Sequence, residues 1–300
     1  QPWSTDPFAL TDIDGRLYGR GTADMKGFIA ATIKALSTLD VTRFDRELLL
    51  IWTYDEEVGC LGSAHLVSDL IAADRPVPSA CLIGEPTNFQ VMRMHSGHHV
   101  IEVDIEGTAA HSSRPDLGCN AIVGAAATIR TIEELAKKLA SQPRDIPEMS
   151  HPIVAVNIGT IQGGSAVNIV PDRCRIQVGF RPLPGMDKQE FALTLDAHLE
   201  RQTGPWKITT ALQHGIDSML TPAGTDLERL LLPHASTPNA GAAGFATDGG
   251  NLAKLGTQPL VFGPGSIDVA HKANEYVERS ALDRAVQVLR SVILARCVKR

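Results

Sequence analysis

The run Leu48-Leu49-Leu50-Ile51-Trp52-Thr53 leads directly into Tyr54-Asp55-Glu56-Glu57-Val58-Gly59. A short, continuously apolar stretch bounded by polar residues is the pattern of a strand buried on both faces, so a strand is expected over residues 47–53. Strands of that kind belong to sheets covered by helices, and such sheets bind ligands beyond the carboxyl ends of their strands. Two adjacent carboxylates at that end are costly unless something positive sits beside them. Taken alone, a Glu-Glu pair is most simply a solvated acidic loop. The rest of the sequence moves the reading toward a cation site.

The flanking sequence alternates strand and helix, the order of a parallel sheet with helices on its faces. A helix is expected over about 26–39, with Ile29, Ile33, Leu36 and Leu39 on one face, and another near 63–73. The short strand Ala80-Cys81-Leu82-Ile83 then runs into Gly84-Glu85-Pro86-Thr87. Near His95 the pattern changes. Val100-Ile101-Glu102-Val103-Asp104-Ile105-Glu106 alternates strictly, as a strand with one wet face does. A helix over about 120–139, strands over 153–162 and 173–180, a helix over 188–202 and a strand over 207–213 complete a β-α-β-β-α-β series, the split βαβ plan. The first pattern resumes with a helix near 226–234, the glycine-rich loop 241–250, a strand at 259–262 and a helix over 278–296. The expected fold is therefore α/β: a parallel-sheet domain built from residues 1–95 and 215–300, interrupted by an α+β domain at 96–214. Three hundred residues suit two domains.

A net charge of −6 argues against a general nucleic-acid or anionic-membrane binder, and no apolar stretch is long enough to span a bilayer. Residues 1–4 show neither a basic start nor an apolar run, so no signal peptide is expected, and the polar, turn-rich opening reads as the interior of a longer protein. Five scattered cysteines without CxxC spacing are expected to be reduced thiols of a cytoplasmic protein, not a disulfide frame or a thiolate zinc site.

Asp24, the pair Glu56-Glu57, Glu85 and His271 each fall in a loop beside an expected strand end or helix start. Carboxylates with imidazole and no thiolate suit zinc, cobalt or manganese, and carboxylate-rich sites commonly hold two ions with one carboxylate between them. Each position also has a plainer reading. Asp24 can serve the dipole of the following helix, and His271 can be a surface histidine.

Six ordered motifs carry a resemblance. They are residues 19–27 (Gly-Arg-Gly-Thr-Ala-Asp-Met-Lys-Gly), Asp55-Glu56-Glu57-Val58-Gly59, Gly84-Glu85-Pro86-Thr87, Ala110-His111-Ser112-Ser113-Arg114-Pro115, Asn168-Ile169-Val170-Pro171-Asp172 and Phe180-Arg181-Pro182-Leu183-Pro184-Gly185. On these the chain resembles the co-catalytic zinc deacylases and exopeptidases. The resemblance implies two zinc ions per subunit, cobalt being an alternative, with Asp24 bridging them, Glu57 and His271 completing one site and Glu85 serving the other. It implies that Glu56 is the general base and that the peptide bond after Asp24 is cis. His111 would reach an active site, usually the dimer partner's, to stabilise the oxyanion; on the plainer reading it orders its own Ser-Ser turn. Arg181 and Asn168 would grip the α-carboxylate of a small N-acyl amino acid; the plainer reading pairs Arg181 with a neighbouring acid. The inserted domain would be the lid and the homodimer contact.

Thr247-Asp248-Gly249-Gly250 and Phe262-Gly263-Pro264-Gly265-Ser266-Ile267 are most similar to the branch of that family that releases acetate from N-acetyl-L-ornithine in arginine synthesis. Desuccinylation of an N-succinyl diamino acid, cleavage of a dipeptide, and a non-catalytic chain that only dimerises are the alternatives. One departure bears on all of them: the family's His-x-Asp motif, expected upstream of Trp3, is absent. The expectation is that one metal is held tightly at most, and that the chain as it stands is poorly soluble and essentially inactive.

Overall fold

The computed structural model describes residues 2–298. The chain opens with the hairpin β1 (Thr11–Ile13) and β2 (Arg16–Tyr18), a three-stranded antiparallel sheet once a late strand joins it. A tight turn at Thr22–Lys26 leads into α1 (Gly27–Ser37); α2 (Leu61–Ala72), β3 (Ala80–Ile83) and β4 (Met92–His95) follow. The second layer then begins with β5 (His99–Glu106), β6 (Ala110–His111) and α3 (Ala121–Ala140). It continues through β7 (Ala155–Gly163), β8 (Ile169–Val170), β9 (Arg173–Arg181), α4 (Lys188–Leu199) and β10 (Lys207–Leu212). The chain returns to the first layer with β11 (Met219–Leu220), α5 (Asp226–Leu231), β12 (Gly241–Ala243), α6 (Gly249–Leu252) and β13 (Gln258–Val261). It ends in β14 (Tyr276–Glu278), the strand that joins β2, and α7 (Arg279–Cys297).

The fold is α/β. The sheet that carries the first set of loops runs β11-β4-β13-β3, with β12 also on β4. Its β13–β3 and β12–β4 pairings are parallel, and β4 pairs antiparallel with β11 and β13. Its core joins Ala31 and Ala35 of α1 to Leu227 and Leu231 of α5 and to Val288, Leu289 and Val292 of α7. The inserted layer is an antiparallel sheet in the order β10-β5-β9-β7. The strict alternation of β5 sends Ile101, Val103 and Ile105 into a core with Ile176, Val178 and Phe180 of β9 and Ile132 and Leu135 of α3. The other face of β5 is polar, and Arg175 there pairs with Asp104 at 2.8 Å and Glu102 at 3.0 Å. Asn120 caps α3 by accepting the N–H of Ile122 at 2.9 Å, which satisfies one of the orphan donors of the first turn.

Two strands of chain connect the layers, and they pair with each other. His98 N–H donates to Ile216 O and Ile216 N–H returns to His98 O, both at 2.8 Å. A Cβ at Gly215 would stand 2.4 Å from His98 O, so only glycine fits this crossing. Just beyond it three basic side chains converge on Asp217. Oδ1 lies 3.0 Å from His99 Nε2 and 2.9 Å from Lys188 Nζ, and Oδ2 lies 2.7 Å from Lys254 Nζ.

One expected element is corrected. Residues 47–53 form no strand and belong to no ladder among the described residues. Leu49, Ile51 and Trp52 are 52%, 50% and 54% exposed. Apolar content makes a stretch suitable for burial, but a strand also needs a neighbour to take its backbone hydrogen bonds. The strand β3 pairs only with β13, and its other edge is open among the described residues. The reverse also occurs: Arg16–Tyr18, where no strand is expected from the sequence, pairs on both sides, with β1 and β14.

Candidate active site

Asp24 sits in the turn between β2 and α1. Gly21 enters it at φ 84°, and the Asp24–Met25 peptide bond is cis, as the resemblance implies. Gly27 closes the turn, because a Cβ there would lie 2.4 Å from Thr22 O. The turn is held from below by Glu275, which is 1% exposed. Its Oε1 accepts the backbone N–H groups of Ala23 at 3.0 Å and Asp24 at 3.1 Å, and its Oε2 accepts from Arg20 Nη1 at 2.8 Å.

The loop after β13 brings His271 to the same place, with φ at 59°. Its Nε2 lies 3.0 Å from Asp24 Oδ2 and 2.9 Å from Glu57 Oε1. One ligand atom from each of Asp24, Glu57 and His271 falls within 4.8 Å of the other two. Burial works against charge on His271, but the Glu57 and Asp24 carboxylates outweigh it and raise its pKa. Asp24 is itself raised, first by burial and then by the Glu57 charge, with His271 opposing. Two carboxylates and an imidazole converging on one point are a donor set that fits a divalent cation.

Glu56 and Glu85 stand around this group without joining it. Burial pushes the Glu56 carboxyl up to about 7; the Asp248 charge adds to the rise, and the Cys60 thiol, 3.6 Å from Oε1, offsets part of it. Glu85 is 7% exposed on the turn after β3, where Gly84 packs against the Phe28 ring. Its pKa is raised well above the carboxylate range by burial, then by the charges of Asp24 and Glu56. A crowd of carboxyls that hold one another's protons on is the state expected of an acidic site that receives cations.

Asp248 lies close to Glu56 and Glu85. Its Oδ2 accepts the Thr53 hydroxyl at 2.6 Å, while Oδ1 is buried without a hydrogen-bond partner. The neighbouring Thr247 is fixed by His95, which is fully buried and whose pKa burial lowers to about 4. His95 Nδ1 donates to Ser96 O at 2.9 Å. Its Nε2 therefore accepts, from Thr247 N–H at 3.3 Å and from the Thr247 hydroxyl at 3.1 Å.

The description "Peptidase family M20/M25/M40" belongs to the family model that matches residues 1–295. The chain is a member of that family. An acetylornithine deacetylase of Myxococcus xanthus is 33% identical over 296 residues, covering 98% of this chain and 76% of the relative. An acetylornithine deacetylase of Photorhabdus laumondii is 34% identical over 304 residues, covering 97% and 74%. Among solved structures, a tripeptidase from Staphylococcus aureus superposes with a TM-score of 0.70 at 22% identity, over 96% of this chain and 76% of that one. An M20 metallo-carboxypeptidase from Sulfolobus solfataricus gives 0.70 at 18%, over 97% and 80%. A dinuclear metal binding peptidase of the M20 family from Bacillus subtilis gives 0.68 at 12%, over 90% and 71%.

In this M20/M25/M40 member the inserted layer keeps its own candidates together. His111 pairs with Ile169 across β6 and β8, and Ser112 N–H donates to Asn168 O at 3.0 Å. His111 Nδ1 meets Ser113 Oγ at 2.8 Å, so the histidine does order its own turn. Arg181 ends β9, and its charge adds to the lowering that burial produces in the pKa of His95 and His98. His111 does not join the Asp24–Glu57–His271 group. Glu275 and Asp248 are the residues that reading the motifs left without a role. Asp248 lay inside a quoted motif. For Glu275 the only local signal was its place four residues after His271.

Proposed function

We propose that this chain is a metal-dependent amidohydrolase that removes the acyl group from an N-acyl amino acid, with N-acetyl-L-ornithine as its substrate and L-ornithine and acetate as products. The observation that carries this is the convergence of Asp24, Glu57 and His271 beside a carboxyl, Glu56, held near neutrality. The 33% identity to an acetylornithine deacetylase supports the choice of substrate.

Asp24, Glu57 and His271 would hold one zinc ion, and Asp24 with Glu85 would contribute to a second; cobalt suits the same donors. When bound, such an ion supplies Lewis acidity and lowers the pKa of water. Glu56 takes the proton of the attacking water on its carboxylate as the new C–O bond forms. It returns that proton to the departing α-amine as the amide C–N bond breaks, and so ends as it began. Arg181 and Asn168 would hold the α-carboxylate, and His111 would donate to the oxyanion, from the partner subunit of a homodimer that meets through residues 96–214. Residues 1–95 and 215–300 would then form the metal-binding domain.

All five cysteines are free, which supports a reducing, cytoplasmic setting. No helix among the described residues is long and apolar enough to cross a membrane.

Acetate release from N-acetyl-L-ornithine, measured with and without added zinc or cobalt, tests the reading. N-succinyl-diaminopimelate and a dipeptide serve as competing substrates. Metal-dependent release of acetate is expected when the chain is joined to a segment carrying the His-x-Asp motif, and little from residues 1–300 alone; faster turnover of either competitor would reassign the substrate.

A further inference from the structure

A cavity of about 350 Å³ lies between the loops that carry Glu85 and His271. Pro86, Thr87, Gln90, Met92, Phe245 and Asp268 supply most of its wall. It is bounded by two of the loops that carry the site. Pro86 and Thr87 directly follow Glu85, and Asp268 precedes His271 by three residues. The loops are joined by backbone hydrogen bonds. Asn88 N–H donates to Gly265 O at 2.7 Å, Phe89 N–H to Gly263 O at 2.9 Å, and Thr87 bridges to Ser266. At Gly265 a Cβ would stand 3.3 Å from Ala23 Cβ and 3.6 Å from Pro86 Cβ, so this loop runs between the neighbours of Asp24 and Glu85. The cavity is therefore walled by the residues that follow Glu85 and precede His271, and the loop between them packs on the neighbour of Asp24.

Its chemistry is specific. Met92, Phe245 and Pro86 are apolar, Thr87, Gln90 and Ser266 are neutral, and Asp268 is the only charged residue of the lining. The backbone of Asp268 is fixed by its N–H donating to Ser266 Oγ at 3.1 Å, and its side chain is exposed. Small-ligand sites combine an apolar wall with few polar anchors, and this volume falls within their range. An alkyl chain ending in a cation satisfies both parts.

We propose that this cavity receives the side chain of the substrate's amino-acid half, and that Asp268 pairs with a terminal ammonium on that side chain. The inference rests on the N-acyl amino acid reading above and adds the residue that selects a cationic substrate. A carboxylate at the rim rewards the ammonium, and the apolar wall rewards the methylenes that lead to it.

The test compares N-acetyl-L-ornithine with N-acetyl-L-norvaline, which keeps the chain length and lacks the ammonium, in wild type and in Asp268→Asn and Asp268→Glu. The wild-type kcat/KM ratio should favour ornithine by about tenfold or more, Asp268→Asn should lower that ratio by about tenfold through KM, and Asp268→Glu should restore part of it. Calorimetric binding of L-ornithine and L-norvaline to the metal-loaded protein gives a readout independent of turnover, and an unchanged melting temperature shows that the variants fold. An equal wild-type ratio, or a ratio that Asp268→Asn leaves as it was, would overturn the proposal. If neither substrate is hydrolysed, the reaction reading fails. The pocket then stands only if ornithine still binds better than norvaline and Asp268→Asn removes the difference.

Discussion

Glu275 Oε1 accepts the backbone N–H of Asp24 at 3.1 Å, from a side chain that is 1% exposed. The same oxygen takes the N–H of Ala23, and the second oxygen takes Arg20. One buried carboxylate thus fixes the turn that aims a proposed metal ligand. Glu275→Ala should cost about 3 kcal/mol of stability, because two backbone N–H groups lose their acceptor and Arg20 loses one of its partners. It should also weaken zinc binding by about 10- to 100-fold, as loss of a residue that orients a ligand does. Denaturant titration of the metal-free protein and zinc calorimetry measure the two effects separately. Unchanged zinc affinity would limit Glu275 to a structural role.

Glu56 and Glu57 are neighbours with different expected parts. Glu57 touches His271, whereas Glu56 meets Cys60. Glu56→Ala should lower kcat by about 10²-fold or more and leave bound metal nearly intact. Glu57→Ala should strip the metal. Metal analysis of both variants decides between them, and equal loss of metal in the two would reverse the assignments.

Arg181 is expected to require a free α-carboxylate on the substrate. Arg181→Ala should raise KM for N-acetyl-L-ornithine by about tenfold or more with a smaller change in kcat, and the amide-capped substrate should be poor for wild type. Equal wild-type kcat/KM for free and capped substrates would remove Arg181 from the binding site.

Asp217 offers a pH test away from the metal-type group. Burial alone would raise its pKa, but His99, Lys254 and Lys188 hold it far below the ordinary 3.8. A carboxylate whose folded pKa is depressed contributes stability that is present above the unfolded pKa and is lost as pH falls through the folded one. Asp217→Asn should therefore destabilise by about 3 kcal/mol at neutral pH, and its deficit against wild type should shrink as pH drops below about 3.8. Melting curves at a series of pH values measure this. A deficit that stays constant down to pH 2 would mean that the contribution is not one of charge.

Features that rest on local pattern were legible in the sequence. Strand β5 was readable because alternation states both the strand and the face it buries, and Ile101, Val103 and Ile105 are all but fully buried. The helix α3 carries its own cap in Asn120. The run at 48–52 was misread because its apolarity is local while strand formation depends on a partner elsewhere. Asp24, Glu57 and His271 were found through motifs, since nothing in their spacing declares a common site. Glu275 escaped because its burial depends on Arg20, 255 residues away, and an acid that pairs at such a distance looks like any surface glutamate in a sequence.

The distance between Glu57 and His271, 214 residues along the chain, also sets an order of events during synthesis. Asp24, Glu57 and Glu85 leave the ribosome long before His271, the imidazole that pairs with Asp24 and Glu57. The layer from β5 to β10 has a core of its own and emerges whole in the interval, so it can fold before the two halves of that pairing meet. The Asp24–Glu57–His271 group therefore assembles only after a whole layer of the protein has been made between its parts.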